Sequence, residues 1–194
     1  MKKNWLYSIL MAIPLMSGLT ACNNEDDPNP NPYSEPTTTY GAYIVNTGNS
    51  GANDGSIQWF DMENQTVSND LYLTQNSEGF GDLQDLCVYG SKMYAIGSES
   101  SKIEILDLKG KLIKKLLLTT EDGKPKGPRY VTSGEGCVFF TATDGTVSRL
   151  DTLTQEITGM AQLGYQYPEA LTYANGKLYV NISNRANSGY TGQM

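Results

Sequence analysis

Residues 92–107 read KMYAIGSESSKIEILD: an apolar strand around Tyr94, a polar loop, and an alternating strand that ends in Asp107. Apolar residues at every second position mark β-structure that buries one face. The same order of features recurs on either side. Alternating strands end in Asp61, Asp107 and Asp151, spaced 46 and 44 residues apart. The strand before each polar loop recurs as Ala42-Tyr43-Ile44-Val45, Met93-Tyr94-Ala95-Ile96, Val138-Phe139-Phe140-Thr141 and Leu178-Tyr179-Val180-Asn181.

Ahead of that strand lies another, read as Leu86-Cys87-Val88-Tyr89, Tyr130-Val131-Thr132-Ser133 and Ala170-Leu171-Thr172-Tyr173. Short turns join the two, and Asn175-Gly176 is a strong hairpin signal. After each aspartate come a polar turn and one more strand, at Gln65-Thr66-Val67, Lys111-Leu112-Ile113-Lys114 and Gln155-Glu156-Ile157. Each unit therefore has four antiparallel strands. Such a meander cannot bury both faces alone, and a period in the forties points to blades stacked around an axis. The fold class expected is all-β, a β-propeller of four-stranded antiparallel blades, with no amphipathic helix. A β-sandwich would also alternate and turn often, but it gives no reason for four features to recur in register.

Three strands fall in 42–67, four in 85–115, four in 129–158 and two in 169–182, or three to four blades. Closure takes four to eight blades. The propeller is therefore expected to be incomplete, a fragment of a seven- or eight-bladed ring. Two copies joined end to end are not expected to close cleanly, because the last unit ends in its second strand and the first begins with one.

Residues 1–21 carry Lys2 and Lys3, an apolar stretch from Trp5 to Leu19, and small residues before Cys22, the pattern of a secretory signal. Leu19-Thr20-Ala21-Cys22 resembles the lipobox of bacterial lipoproteins, which implies cleavage before Cys22 and lipidation of that residue. Residues 22–39 form an acidic, proline-rich tether with prolines at 28, 30, 32 and 36, a composition that buries no core. Asn24 stands where an inner-membrane retention signal would have aspartate, and Glu25-Asp26-Asp27 resembles tethers that direct lipoproteins outward. The expected place is the outer membrane, facing the cell surface, with the lipid as the sole membrane attachment. The globular part is expected over residues 40–194.

Composition narrows the chemistry. Lysine and arginine number 14 against 21 aspartates and glutamates, a net charge of −7, which disfavours nucleic acid as a partner. There is no histidine, so the usual general base and commonest metal ligand are missing. Neither a zinc-type cysteine cluster nor a phosphate-loop spacing occurs, and the glycine-rich run 48–55 reads as a long turn. These features lead to a non-enzymatic chain without cofactor or metal. Cys87 and Cys137, on strands of neighbouring units, are expected to be buried free thiols.

The repeat resembles the surface-layer-type propeller repeat named for its Tyr-Val-Thr-Asn signature. The matching stretches are Arg129-Tyr130-Val131-Thr132, Lys177-Leu178-Tyr179-Val180-Asn181, and Val147-Ser148-Arg149-Leu150-Asp151 with Thr152. Signal, tether and repeat together resemble Gram-negative surface lipoproteins, some of which capture cobalamin for an outer-membrane transporter. The resemblance implies a binding module for a small molecule or glycan, set beside such a transporter. A protein-docking platform of the surface layer and a non-functional truncated chain are the alternatives.

In a propeller the first strand of each blade lines the axis, and the loops leading into it share one face with those between second and third strands. The residues opening the inner strands are Asp85, Arg129 and Glu169, expected to ring the channel mouth. Loops on the same face add Gln75, Asn76, Glu78, Phe80, Glu99, Asp144, Tyr165, Tyr167 and Arg185 as ligand-binding candidates. Asp151-Thr152-Leu153 resembles an O-glycosylation acceptor of some surface-exporting Gram-negatives, and fits better the turn that ends a repeat strand.

Overall fold

A computed structural model of the chain describes residues 40–49 and 51–183. The fold is all-β, in four antiparallel sheets, none of them closed. The first contains β1 (Gly41–Asn46), β2 (Ser56–Asp61) and β3 (Thr66–Val67). After a short helix α1 (Leu71–Asn76), the second contains β4 (Leu83–Tyr89), β5 (Lys92–Gly97), β6 (Lys102–Asp107) and β7 (Leu112–Leu117). The third contains β8 (Pro128–Gly134), β9 (Cys137–Ala142), β10 (Thr146–Asp151) and β11 (Glu156–Gln162), and the fourth β12 (Pro168–Ala174) and β13 (Lys177–Ile182). Each sheet is a plain meander in sequence order.

The recurring aspartate has a local cause. Asp61 Oδ1 accepts the backbone N–H groups of Glu63 and Asn64, each at 2.9 Å. Asp107 Oδ1 does the same for Lys109 at 2.8 Å and Lys111 at 2.9 Å, and Asp151 Oδ1 for Leu153 at 2.9 Å and Thr154 at 2.8 Å. A short carboxylate at a strand end thus supplies the acceptor for the turn into the next strand. At the same end of the fourth sheet, Asn175 and Gly176 adopt φ of 51° and 71°, the left-handed pair of a tight hairpin.

Alternation decides which face meets which. On β5 and β6, Tyr94, Ile96, Ile103 and Ile105 pack against Val131, Val138, Phe140 and Leu150 of the third sheet. From the same strands Met93, Ala95 and Leu106 pack the other way, with Ile57, Tyr72, Phe80 and Leu83. The second sheet is therefore buried on both sides, and β5 is buried along its whole length. Full burial of such a side chain contributes about 1.5–3 kcal/mol, so these two layers hold most of the fold's stability. Successive sheets also meet along one edge, where β4 packs on β8 and β8 on β12.

Helix α1 departs from the expectation of an all-strand repeat. The outer strand of the first sheet lasts two residues, and the chain then turns into the gap beside the second sheet. Asp70 caps the helix by accepting the Tyr72 N–H at 3.0 Å, and its Oδ1 also takes the Ile57 N–H at 3.2 Å. Tyr72 is buried edge-on against Phe80, with ring centroids 5.2 Å apart. Six residues are too few for a helical period to register in sequence, and tertiary burial of Tyr72 maintains the turn. Cys87 and Cys137 are free, as expected, but half-buried rather than enclosed. Burial is the main influence on both thiols and raises their pKa.

Candidate functional site

The loops that lead into the inner strands are bonded to those between second and third strands. Ser101 Oγ accepts the N–H of Lys126 at 2.9 Å and of Gly127 at 3.2 Å. Thr143 Oγ1 donates to Lys126 O at 2.9 Å, Tyr167 N–H donates to Thr143 O at 3.4 Å, and Ser183 N–H donates to Tyr167 O at 3.2 Å. One edge of the second, third and fourth sheets is thus tied into a continuous rim.

The three inner strands share a defect. Each carries a β-bulge near its start, between Leu83 and Asp85, Pro128 and Val131, and Pro168 and Leu171. A bulge re-aims side chains and frees backbone groups. Here it points each charged residue at a neighbouring sheet. Asp85 Oδ2 accepts the Val131 N–H at 2.9 Å while Oδ1 holds its neighbour Leu86 N–H at 2.9 Å. Burial pushes the Asp85 carboxyl above the ordinary aspartate range, against the pull of these two N–H donors. Arg129 Nη2 lies 2.8 Å from Glu169 Oε2, and Ser183 Oγ donates to Glu169 Oε1 at 3.1 Å. Asp85, Arg129 and Glu169 therefore occupy equivalent positions along one edge, and each is already engaged in joining sheets.

The other candidates separate. Phe80 is corrected: it is 1% exposed, and its ring packs on Tyr72 beneath the Lys102 ammonium, 4.1 Å from the ring centroid, so it has no face for a ligand. Asn76 belongs to α1 and clamps the turn between β6 and β7, donating to Gly110 O at 2.8 Å and accepting the Leu112 N–H at 2.9 Å. Glu78 and Gln75 are exposed. Glu99 is exposed, and its backbone N–H is held by Asp82. Tyr165 is exposed and Tyr167 half-buried with a left-handed φ of 58°. Cys22 and Arg185 lie outside the described residues. Thr152, the candidate acceptor, is buried, and its hydroxyl donates to Gly136 O at 2.7 Å.

Among the crown candidates Asp144 lines a sizeable cleft. The cleft has a volume of about 800 Å³ and lies between the outer strands of the second and third sheets, just below the rim. At its head Lys126 Nζ sits 3.4 Å from Asp144 Oδ2 and 2.9 Å from Met160 Sδ. Asp144 Oδ1 accepts the Thr146 hydroxyl at 2.6 Å, which fixes the carboxylate. Thr120, Asp122, Ser148 and Gln162 add polar groups, while Leu117, Ile157 and Met160 form an apolar wall. Such a cleft can hydrogen-bond hydroxyls and amides on one side and cover a hydrocarbon face on the other. Lys126, Met160 and Thr120 have no signal in the sequence, because the β7–β8 connection that carries Thr120 and Lys126 meets Met160 of β11 only when the second and third sheets stack. Among the described residues, no three His, Cys, Asp or Glu side chains converge as a metal site, and no helix is long and apolar enough to cross a membrane.

No family model and no curated protein matches the chain. A solved structure titled Kuenenia stuttgartiensis hydrazine synthase is similar at a TM-score of 0.48 and 16% identity, over 62% of this chain and 32% of that one. The chain thus spans about a third of that protein's length.

Proposed function

We propose that this chain is a lipid-anchored protein of the outer-membrane surface, whose folded part is an incomplete β-propeller that binds a small molecule or glycan without transforming it. The four sheets are read as successive blades, of the surface-layer type that the Tyr-Val-Thr-Asn-like stretches resemble. The observation that carries the binding role is the cleft headed by Lys126 and Asp144, which combines a fixed ion pair, hydroxyls and an apolar wall at the rim. The sequence resemblance adds capture beside an outer-membrane transporter, with cobalamin as one ligand to try.

Titration calorimetry of the full-length chain against cobalamins and host-type glycans tests the reading. Binding that weakens about tenfold in Asp144→Asn or Lys126→Ala, the loss of about one charge-assisted hydrogen bond, supports it. Heat from none of these ligands overturns it. For the anchor, Cys22→Ser abolishes incorporation of labelled palmitate in a Gram-negative host, and unchanged incorporation refutes lipidation at that residue.

A second reading, a platform for a protein partner, draws on the exposed apolar residues of the outer strands. Leu117 is 72% and Met160 60% exposed, side by side on the cleft wall.

A further inference from the structure

The turn and strand that close the second sheet are basic in an acidic chain. Residues 108–117 read LKGKLIKKLL, with four lysines and no acid, where the whole sequence has a net charge of −7. On β7 exposed residues alternate with half-buried ones, so Ile113 and Lys115 stand outward among Leu112, Lys114 and Leu116. Lys109 and Lys111 are exposed just before them, and Leu108 and Ile113 bare 39% and 46% of their surface. Ammonium groups and hydrocarbon thus share one outer edge.

Two observations set this edge apart from an ordinary solvated rim. The first is its contrast with β11, the outer strand of the third sheet, which is exposed along nearly its whole length and contains no lysine. Lysines that served only to keep an open edge from pairing would be needed there too. The second is that the charge is not neutralised within the fold. Asp107 accepts the backbone N–H groups of Lys109 and Lys111, so their ammonium groups are not what holds the turn. Lys114 Nζ donates to Gln155 O at 2.7 Å, and Lys115 shares Glu104 with Lys102. Five lysines against Glu104 and Asp107 leave three positive charges on this edge.

The edge also lies where the proposed tether joins the fold. Tyr40 follows that tether and its carbonyl accepts the Met62 N–H at 3.0 Å, while Tyr43 Oη donates to Leu108 O at 2.8 Å. Three residues of chain, about 10 Å, and one side chain therefore separate the tether from the start of the basic stretch.

We infer that the turn between β6 and β7, with β7 itself, lies against an anionic lipid membrane, Lys109 and Lys111 on headgroup phosphates and Leu108 and Ile113 at the boundary of the acyl chains. The inference rests on the lipid-anchored reading above, because the anchor holds this edge near a bilayer. A lipid surface offers both negative charge and hydrocarbon, whereas a soluble polyanion would leave Leu108 and Ile113 uncovered.

The test follows amide hydrogen exchange by mass spectrometry in the full chain, as a Gram-negative host produces it, on lipid vesicles. Exchange at 108–117 should be at least about fivefold slower on phosphatidylglycerol mixed with phosphatidylcholine than on phosphatidylcholine alone. Residues 156–162 of β11 should exchange at one rate on both. Lys109→Ala combined with Lys111→Ala retains the N–H groups that Asp107 accepts and should remove the slowing, as should high salt. Ile113→Asn should reduce it. No slowing on the anionic vesicles, or slowing that the lysine variant leaves intact, overturns the inference. Equal slowing by dextran sulfate, untouched by Ile113→Asn, would mean a soluble polyanion and overturns it as well. Pelleting with phosphatidylcholine vesicles reports the anchor separately, so a chain that pellets without slowing at 108–117 overturns this inference alone.

Discussion

Arg129 Nη2 lies 2.8 Å from Glu169 Oε2, bridging the innermost strands of the third and fourth sheets at a point where each is bulged. Both side chains are partly exposed, at 30% and 21%, so solvent screens the pair. Arg129→Ala is expected to cost about 1 kcal/mol, with a coupling to Glu169→Ala of about 0.5–1 kcal/mol in a double-mutant cycle by urea unfolding. A coupling of zero would mean that the bulges hold the edge without the pair.

Glu104 contrasts with this exposed contact. It is fully buried on β6, with Lys102 Nζ at 3.0 Å and Lys115 Nζ at 2.9 Å. Burial first, then the Glu104 hydrogen bond and charge, hold the Tyr72 hydroxyl in its neutral form. Glu104→Ala leaves the buried Lys102 ammonium without its counter-charge and is expected to cost about 3–5 kcal/mol, whereas Lys115→Ala, at a side chain 40% exposed, costs less than about 1 kcal/mol. The order of the two urea midpoints checks the assignment.

Thr152 distinguishes a modification site from a structural turn. Gly136 O accepts both its N–H at 3.0 Å and its hydroxyl at 2.7 Å. Thr152→Val removes one of the two donors at constant shape and is expected to cost about 1 kcal/mol, or about 2–4 °C in melting temperature. Mass spectrometry of the protein from a glycosylating host should find no sugar at residue 152.

Two kinds of aspartate set opposite pH dependences. Asp61 and Asp151 are held below the ordinary range chiefly by the N–H groups of Asn64 and Thr154, so their stabilisation is complete above that range and lost as pH falls through their lowered values. Asp85 is raised by burial, so its contribution is present below the unfolded value and lost as pH rises through the raised one. Asp85→Asn retains an acceptor for Val131 and should flatten the decline just above the carboxylate range. Asp61→Asn should shrink the acid-side loss. Urea midpoints followed from acid to neutral pH show both effects.

Position 134 tests the stacking of the third sheet on the fourth. A Cβ there would lie 2.1 Å from Tyr173 Cδ1, so Gly134→Ala must displace the ring that stacks on Phe139. Increased protease cleavage within 168–182 relative to wild type is the expected outcome, and unchanged cleavage would show that the ring has room to move.

Local chemistry carried much of the architecture. Strand alternation, the Asp61, Asp107 and Asp151 turns and the Asn175-Gly176 hairpin act over a few residues, so they are legible in the chain and account for the antiparallel strands of all four sheets. The repeat position of Asp144 puts it on the rim, and there it fixes the head of the cleft. Phe80 has a loop position on the same face, yet the insertion of α1 draws it into the core against Tyr72.

The sequence alone determined which residues form strands, where they turn and which alternate faces are apolar, because these depend on backbone geometry and on neighbours within a turn. Only tertiary structure decided that Lys126 meets Met160 and that Arg129 meets Glu169 forty positions away. Those outcomes depend on which sheet faces which, a long-range choice that leaves no period in the chain.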